Sequence, residues 1–234
     1  MPQLQFKPSL WPTLAAIAGV AATVALGNWQ LGRGQDKAAL AQRIAAANRD
    51  AQIELSQTEA RAEDVAWHRV EVRGRFEPKY AVLIDNRILH GVVGYQVVMP
   101  LRINAGERHV LVNRGWVAAT GSRDILPQIK TPPEEVLITG LATVPSKRYL
   151  ELSKQVAEGK VWQNLTLERY RAAMPLALQP VVIQQESGID DGLKREWSAP
   201  DLGIDKHYGY AFQWFAMAAA IVIIYLVCNV RKRT

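Results

Sequence analysis

The sequence predicts a membrane protein in which a two-helix transmembrane hairpin carries one extracytoplasmic domain of α+β or mostly β class. Two stretches without a charged side chain, residues 10–32 and 208–230, lie near the two ends of the 234-residue chain. At 1.5 Å per residue, either stretch forms a helix of roughly 35 Å, enough to cross a hydrocarbon layer of about 30 Å. Between them, apolar and polar residues alternate in several short segments, as is typical of β-strands.

The charge distribution predicts the orientation of the hairpin. The formal net charge is +6, and four basic residues lie outside the central region, namely Lys7, Arg231, Lys232 and Arg233. The other 24 basic residues and all 22 acidic ones lie in residues 33–206, whose net charge is only +2. That balance argues against a nucleic-acid-binding surface. Basic residues beside membrane spans favour the cytoplasmic side, so we expect both termini in the cytoplasm.

These observations predict the domain organisation. We expect a cytoplasmic tail at residues 1–9, spans at 10–32 and 207–230, an extracytoplasmic domain at 33–206 and a second tail at 231–234. A cleaved signal peptide is the alternative for the first span, but its apolar run exceeds the usual length of about 7–15 residues. Residues 1–9 contain no Arg and one Ser, unlike an organellar transit peptide. A bacterial inner (plasma) membrane is therefore the predicted location.

After the first span, local patterns predict the elements of the domain in order. Residues 36–48 are rich in Ala, Leu, Gln and Arg and predict a short helix that continues or follows the span. Residues 51–66 are polar, with alternating charge, and predict a linker or mobile loop. One further helix is expected at 165–173, with Asn164 or Thr166 as its N-cap. Strands are predicted at 67–76, 81–87, 95–103, 109–118, 136–144 and 180–185, forming an antiparallel sheet or open barrel.

Several classes of function are disfavoured by what the sequence lacks. Cys228 is the single cysteine and lies in the second span, so there is no CxxC motif and no thiol redox pair. Delivery of Cu(I) would require clustered Cys or Met side chains, which are absent. No phosphate-binding loop and no GxSxG nucleophile motif is present.

The start of the second span contains the most suggestive set of side chains. On a helix, His207, Ala211 and Trp214 share one face, and Tyr210 lies beside them. An imidazole next to a small residue and an aromatic wall suits a flat apolar macrocycle such as haem. The alternative is an ordinary belt of interfacial aromatic residues.

Two glutamines lie inside the apolar stretches. Gln30 follows Trp29 near the outer end of the first span, and Gln213 precedes Trp214 in the second. A glutamine amide in hydrocarbon needs a hydrogen-bond partner. We expect the two helices to pack with Gln30 facing Gln213, although both side chains can instead extend to the headgroups.

The sequence resembles the surfeit locus protein 1 family, which assists assembly of cytochrome c oxidase in mitochondria and aerobic bacteria. The resemblance covers residues 26–215 and is loose at 121–165. The matching blocks occur in family order: LGNWQLGR at 26–33, Lys37, GRF at 74–76, DNR at 85–87, GYQVVMPL at 94–101, VLVNRGWV at 110–117 and HYGYAFQWF at 207–215.

The resemblance implies a non-enzymatic role in maturing the haem-containing core subunit of a terminal oxidase. Bacterial members are associated with haem a, which makes His207 the expected iron ligand, with Trp29 and Trp214 flanking the macrocycle. Arg87 and Arg114 are expected either to contact haem propionates or a partner's carboxylates, or to be structural. The expected partners are the membrane, the oxidase core subunit and the enzyme that makes haem a. The alternative role is a cofactor-free membrane scaffold that stabilises an assembly intermediate.

Overall fold

The computed structural model describes residues 4–121, 125–145, 157–197 and 202–232. The chain forms two compact units, one made of residues 1–43 with 199–234 and the other of residues 44–198. Residues 1–3 and 233–234 of the predicted tails lie outside the described residues. The predicted membrane boundaries at residues 32 and 207 stay predictions.

Two long helices belong to the first unit, and two short ones to the second. The helices are α1 (Leu10–Ala47), α2 (Ala62–Val65), α3 (Leu167–Ala173) and α4 (Ile204–Asn229). Both α1 and α4 are long and apolar enough to cross a membrane. The first helix continues without a break to Ala47, which confirms the helix predicted after the first charge-free stretch.

The strands form one large sheet in the second unit and a small one in the first. The strands are β1 (Leu4–Phe6), β2 (Ile53–Glu54), β3 (Arg69–Phe76), β4 (Val82–Leu89), β5 (Val92–Ile103), β6 (Arg108–Ala118), β7 (Val136–Thr143), β8 (Ala157–Glu158), β9 (Val161–Trp162), β10 (Ala177–Gln185) and β11 (Val230–Lys232). The predicted strands from residue 67 to residue 185 are therefore confirmed, with shifts of a few residues at their ends.

The large sheet closes on itself. Its strand order is β2-β3-β7-β10-β6-β5-β4-β9-β8, and an additional β3–β5 pairing closes β3, β7, β10, β6 and β5 into a barrel. Most neighbours are antiparallel, as expected, but β10 runs parallel to β6, β2 runs parallel to β3, and β9 runs parallel to β4. The sequence pattern does not distinguish these directions, because strand pairing joins residues that are distant in sequence.

Apolar side chains pack on both faces of this barrel. The inner cluster includes Val72, Leu101, Val112 and Ile183. An outer cluster forms where α3 and β9 cover β4, β6 and β10, and includes Trp162 and Tyr170. Thr166 Oγ1 accepts a hydrogen bond of 3.1 Å from the Arg169 backbone N–H, so Thr166 is the N-cap of α3.

The prediction of a linker or mobile loop at residues 51–66 was wrong. This segment contains β2 and α2, and its Leu55 and Val65 are buried in the inner cluster. The sequence did not predict these two elements, because Leu55 and Val65 are isolated among charged residues and two isolated apolar side chains do not form a periodic pattern.

Candidate functional site

His207 lies in the first turn of α4 and forms a hydrogen bond to helix α1. Its Nδ1 lies 2.7 Å from Oε1 of Gln30. An amide oxygen only accepts hydrogen bonds, so Nδ1 carries the proton and donates it. The lone pair of the neutral imidazole is then on Nε2. This is the arrangement that metal-binding histidines adopt, in which one ring nitrogen donates to an acceptor and the other binds the metal.

The predicted pairing of Gln30 with Gln213 was wrong. Gln30 bonds to His207, whereas Gln213 is exposed. The reason is the period of the helix: at 100° per residue, position 213 lies about 120° around the axis from position 207. When the histidine faces α1, this glutamine therefore faces away from it.

Ala211 also differs from its expected role. It is only 3% exposed and lies on the same side of α4 as Ala218, which is buried too. Both small residues therefore belong to the contact with α1. The predicted open surface for a macrocycle above Ala211 is not formed, because close helix packing uses the space that a small side chain provides.

Glycines of α1 allow this close approach. A Cβ added at Gly27 would lie 2.7 Å from the Phe215 ring, and one at Gly34 would lie 3.1 Å from the Tyr208 ring. Further contacts fix the antiparallel register. Thr13 Oγ1 and the Tyr225 hydroxyl lie 2.7 Å apart. Lys37 on α1 connects this helix to the segment just before α4, because its Nζ donates a hydrogen bond of 2.8 Å to the Leu202 carbonyl.

The predicted aromatic residues are available on the surface of this unit. Trp29 and Tyr210 are more than half exposed, and Trp214 is partly buried. Among the residues that the structure describes, no ring contact joins Trp29 to either of them. The structure therefore brings together His207 and Gln30 from the predicted set and leaves the aromatic rings separate.

Arg114 does not face a ligand, which corrects the expectation of a propionate or partner contact. Its side chain is fully buried, and its Nη2 lies 2.8 Å from Asp191 Oδ2. The same carboxylate oxygen lies 2.5 Å from Arg195 Nη2. Burial lowers the pKa of Arg114, and the charge of Asp191 opposes that shift. The structural alternative holds for this residue.

Arg87 is in a different position, because it is partly exposed and lines a pocket of about 250 Å³ on the barrel. Its backbone carbonyl accepts a bond of 2.7 Å from Trp116 Nε1. The sequence identified Arg87 and Trp116 through separate blocks but gave no sign that they meet. The role of Asp191 was missed entirely, since an aspartate in a turn sequence carries no signal of burial.

The described residues do not form a metal site built from several protein ligands. In the described ranges, no group of three His, Cys, Asp or Glu side chains lies close enough to bind a metal ion. Haem iron has different requirements, since a single protein imidazole is sufficient as an axial ligand.

Comparison with known proteins gives a consistent result. The SURF1 family matches residues 17–219, which is most of the chain. A SURF1-like protein of Rickettsia bellii is 24% identical over 87% of this chain and 85% of its own length. One from Rickettsia prowazekii is 26% identical over 86% of this chain and 83% of its own. An uncharacterized SURF1-like protein of Mycobacterium bovis is 30% identical over 59% of this chain. This chain therefore belongs to the SURF1 family.

Proposed function

We propose that this protein is an assembly factor for a haem-copper terminal oxidase of a bacterial plasma membrane. In this proposal it binds haem a as cargo at the outer face of the membrane and aids its insertion into the core subunit. Membership of the SURF1 family supports the first part, because the family is known generally for oxidase assembly. The two apolar helices fit a membrane location.

The hydrogen bond between His207 and Gln30 is the observation that carries the haem proposal. It orients the ring and leaves Nε2 as the lone-pair nitrogen, which is the form that binds iron. A single axial ligand on a partly exposed histidine suits reversible transfer better than an enclosed site with two ligands. Bound haem would supply only its iron and its apolar faces, and this protein would orient it and release it.

The surroundings of His207 restrict where a macrocycle can lie. Ala211 is closed off by α1, so the apolar face must come from the exposed rings around it. Trp29 on α1 and Tyr210 on α4 are aromatic side chains that are more than half exposed and lie close in sequence to Gln30 and His207. We propose these two as haem contacts, with Trp214 as a further one.

A cofactor-free scaffold is the second candidate, and the buried Ala211 favours it. An interhelical hydrogen bond between Gln30 and His207 also serves to keep two membrane helices together, at about 0.6–2 kcal/mol. In that case the same contact would be purely structural. The two candidates differ in whether the protein ever carries a chromophore.

The test is an absorption spectrum of the full chain, purified in detergent after co-expression with haem a synthesis. We expect a bound chromophore in the wild type and its loss in His207→Ala. Gln30→Ala should retain haem about 10–100-fold more weakly, as is typical when the orienting partner of a metal-binding histidine is removed. His90→Ala is the matched control, since His90 is an exposed histidine paired with Glu196 in the β domain.

An unchanged chromophore in His207→Ala would show that this histidine is not the ligand. A colourless wild type that still co-purifies with an oxidase subunit would establish the scaffold instead.

A further inference from the structure

A polar pocket in the β domain has no assigned role. Its volume is about 250 Å³, and five polar side chains from separate strands line it together with apolar ones such as Ile84 and Leu165. Four of them are Arg87, Gln96, Asn113 and Gln184, and the fifth is Thr143, whose hydroxyl donates to the Val182 carbonyl. None of the described residues that line it is acidic, so the single formal charge of the lining is positive.

Strand register places the three amides side by side. Asn113 on β6 is opposite Val98 of β5 on one side and opposite Gln184 of β10 on the other. Gln96 lies two residues before Val98 and so faces the same side of the sheet. Asn113 and Gln184 are directly paired, and Gln96 is one strand position along the same face from the other partner of Asn113, so the three carboxamides line one pocket.

Two side-chain atoms of the pocket lining are buried without a hydrogen-bond partner. Asn113 is 8% exposed, and its Oδ1 has no partner. The Nε of Arg87 is in the same condition. The remaining contacts of the guanidinium are long, at 3.4 Å to the Gln163 carbonyl and 3.5 Å to Asn164 Oδ1. Arg87 forms no ion pair with any residue in the described ranges, which leaves its charge available to a ligand.

The surrounding structure positions these groups. Trp116 Nε1 bonds to the carbonyl of Arg87 at 2.7 Å. Gly115, between Asn113 and Trp116, has a φ of +138°, and a Cβ there would lie 2.7 Å from the Lys194 carbonyl. Alternation along β6 places Asn113 on the face of Leu111, toward the pocket, and Arg114 on the face of Val112, toward the inner core, and the β5–β6 register shifts directly after Asn113. Three of the blocks that carry the family resemblance, at 85–87, 94–101 and 110–117, thus meet at one pocket.

We propose that this pocket binds an acidic residue of a partner polypeptide. Arg87 requires an anion, and a carboxylate matches the planar geometry of a guanidinium. The unpartnered Oδ1 of Asn113 requires a donor, which a free carboxylate lacks and a peptide N–H supplies. An acidic residue within a peptide carries both groups. The pocket is also smaller than the roughly 300–1,000 Å³ of sites for drug-sized ligands, so it fits one side chain and not a macrocycle.

The proposal is tested by titrating the full chain in detergent micelles with three small probes. N-acetyl-glutamate amide carries a carboxylate and peptide N–H groups, N-acetyl-glutamine amide lacks the charge, and glutarate lacks the N–H groups. The measurement is the NMR shift of the side-chain amide resonances of Asn113, Gln96 and Gln184. We expect saturable shifts with the glutamate probe, binding of glutarate about tenfold weaker, and none by the glutamine probe.

Variants then identify the contacts. Arg87→Gln should weaken binding of the glutamate probe by about tenfold or more. Asn113→Ala should lower the affinity for that probe to that of glutarate while leaving glutarate binding unchanged. Arg73→Gln, at an exposed arginine on β3, is the matched control and should bind as the wild type does. Thermal melting of each variant checks that it is folded.

Each outcome bears on the proposal. Equal binding of the glutamate and glutamine probes, or no shift of the three amide resonances, would overturn it. Equal affinity for glutarate and the glutamate probe would make the pocket a simple anion site and overturn the peptide part. Because the probes contain no haem, a negative result here is distinguishable from a failure of the His207 proposal.

Discussion

At the scale of single residues, the ion pair of Arg114 and Asp191 shows how much a fully buried charge depends on its partner. Asp191 Oδ2 is shared by Arg114 and Arg195, and Asp191 Oδ1 accepts a bond of 3.1 Å from the Leu193 N–H. The Arg114 guanidinium also donates to Thr131 Oγ1 at 2.8 Å and stacks 4.5 Å from the Phe76 ring. This network ties the inner core of the barrel to the segment after β10.

We predict that Asp191→Asn destabilises the β domain by about 3–5 kcal/mol, because it leaves two arginines near an uncharged amide in a dry site. The measurement is the free energy of unfolding by urea. Replacing the fully buried pair, as in Arg114→Met with Asp191→Leu, should recover part of the loss, because only Arg195, which is not fully buried, then lacks the carboxylate. Asp190→Asn is the control, because Asp190 is an exposed neighbour that pairs with Lys130 on the surface. A double variant less stable than the single one would contradict this account.

Tyr170 gives a prediction about pH. Its hydroxyl is buried and donates a bond of 2.6 Å to the Tyr80 carbonyl. Burial raises the pKa of the Tyr170 phenol above its ordinary value, and the Glu77 carboxylate raises it further. Above pH 10, the ordinary tyrosine pKa, the unfolded chain loses this proton while the folded chain keeps it. The free energy of unfolding should therefore fall as the pH rises above about 10.

The variant Tyr170→Phe isolates this effect. It should cost about 1 kcal/mol at neutral pH through the lost hydrogen bond, and it should reduce the alkaline decline in stability. Urea unfolding at a series of pH values from 8 to 11.5 measures both. An identical decline in the variant and the wild type would show that other groups cause it.

At the scale of elements, the hairpin of α1 and α4 depends on small residues at the contact. Gly27→Leu should push the helices apart, since even a Cβ at this position would meet the Phe215 ring. Overpacking of this kind costs about 1–3 kcal/mol. The control is Gly32→Leu, because Gly32 lies on the same helix and nothing is within 4 Å of a Cβ there.

A disulfide between the helices measures the contact. With Cys228→Ser as the background, Gly19→Cys and Ile221→Cys should join on oxidation, since a Cβ at Gly19 lies 3.3 Å from the Ile221 side chain. Adding Gly27→Leu should lower the yield and adding Gly32→Leu should not. Similar disulfide yields in the Gly27→Leu and Gly32→Leu variants would refute the packing proposed for Gly27.

The elements also show which sequence signals are reliable. Alternation of apolar and polar residues identified β3, β7 and most of the other long strands because each has one face in the core. The two-residue strands β2, β8 and β9 were missed, as was α2. Segments this short contain only about one period, so no repeat can be recognised, and their structure is determined by the surfaces against which they pack.

At the scale of the whole molecule, the proposed topology predicts the side of the membrane on which each region lies. In a Cys228→Ser background, Ile125→Cys should react with a membrane-impermeant maleimide in right-side-out vesicles. Ile125 is 63% exposed, so its accessibility is not limited by burial. Lys7→Cys should react only after the vesicles are opened. Reaction of Lys7→Cys in sealed vesicles would reverse the orientation and move His207 away from the outer face.

The sequence alone determined the two long apolar helices, the long strands and the identity of His207, Arg87 and Trp116 as residues of interest. The helices, the strands and His207 follow from local composition and period, which do not depend on distant residues, whereas Arg87 and Trp116 were identified through the family resemblance. The tertiary structure decided which partners meet: Gln30 with His207, Asp191 with Arg114, and the amides around Arg87. Such contacts join residues far apart in the chain, and they depend on helix rotation and strand register. A shift of one residue in a strand register would turn each side chain to the opposite face of the sheet, and a shift of one residue along a helix would turn it away from its partner. No local sequence pattern determines these registers.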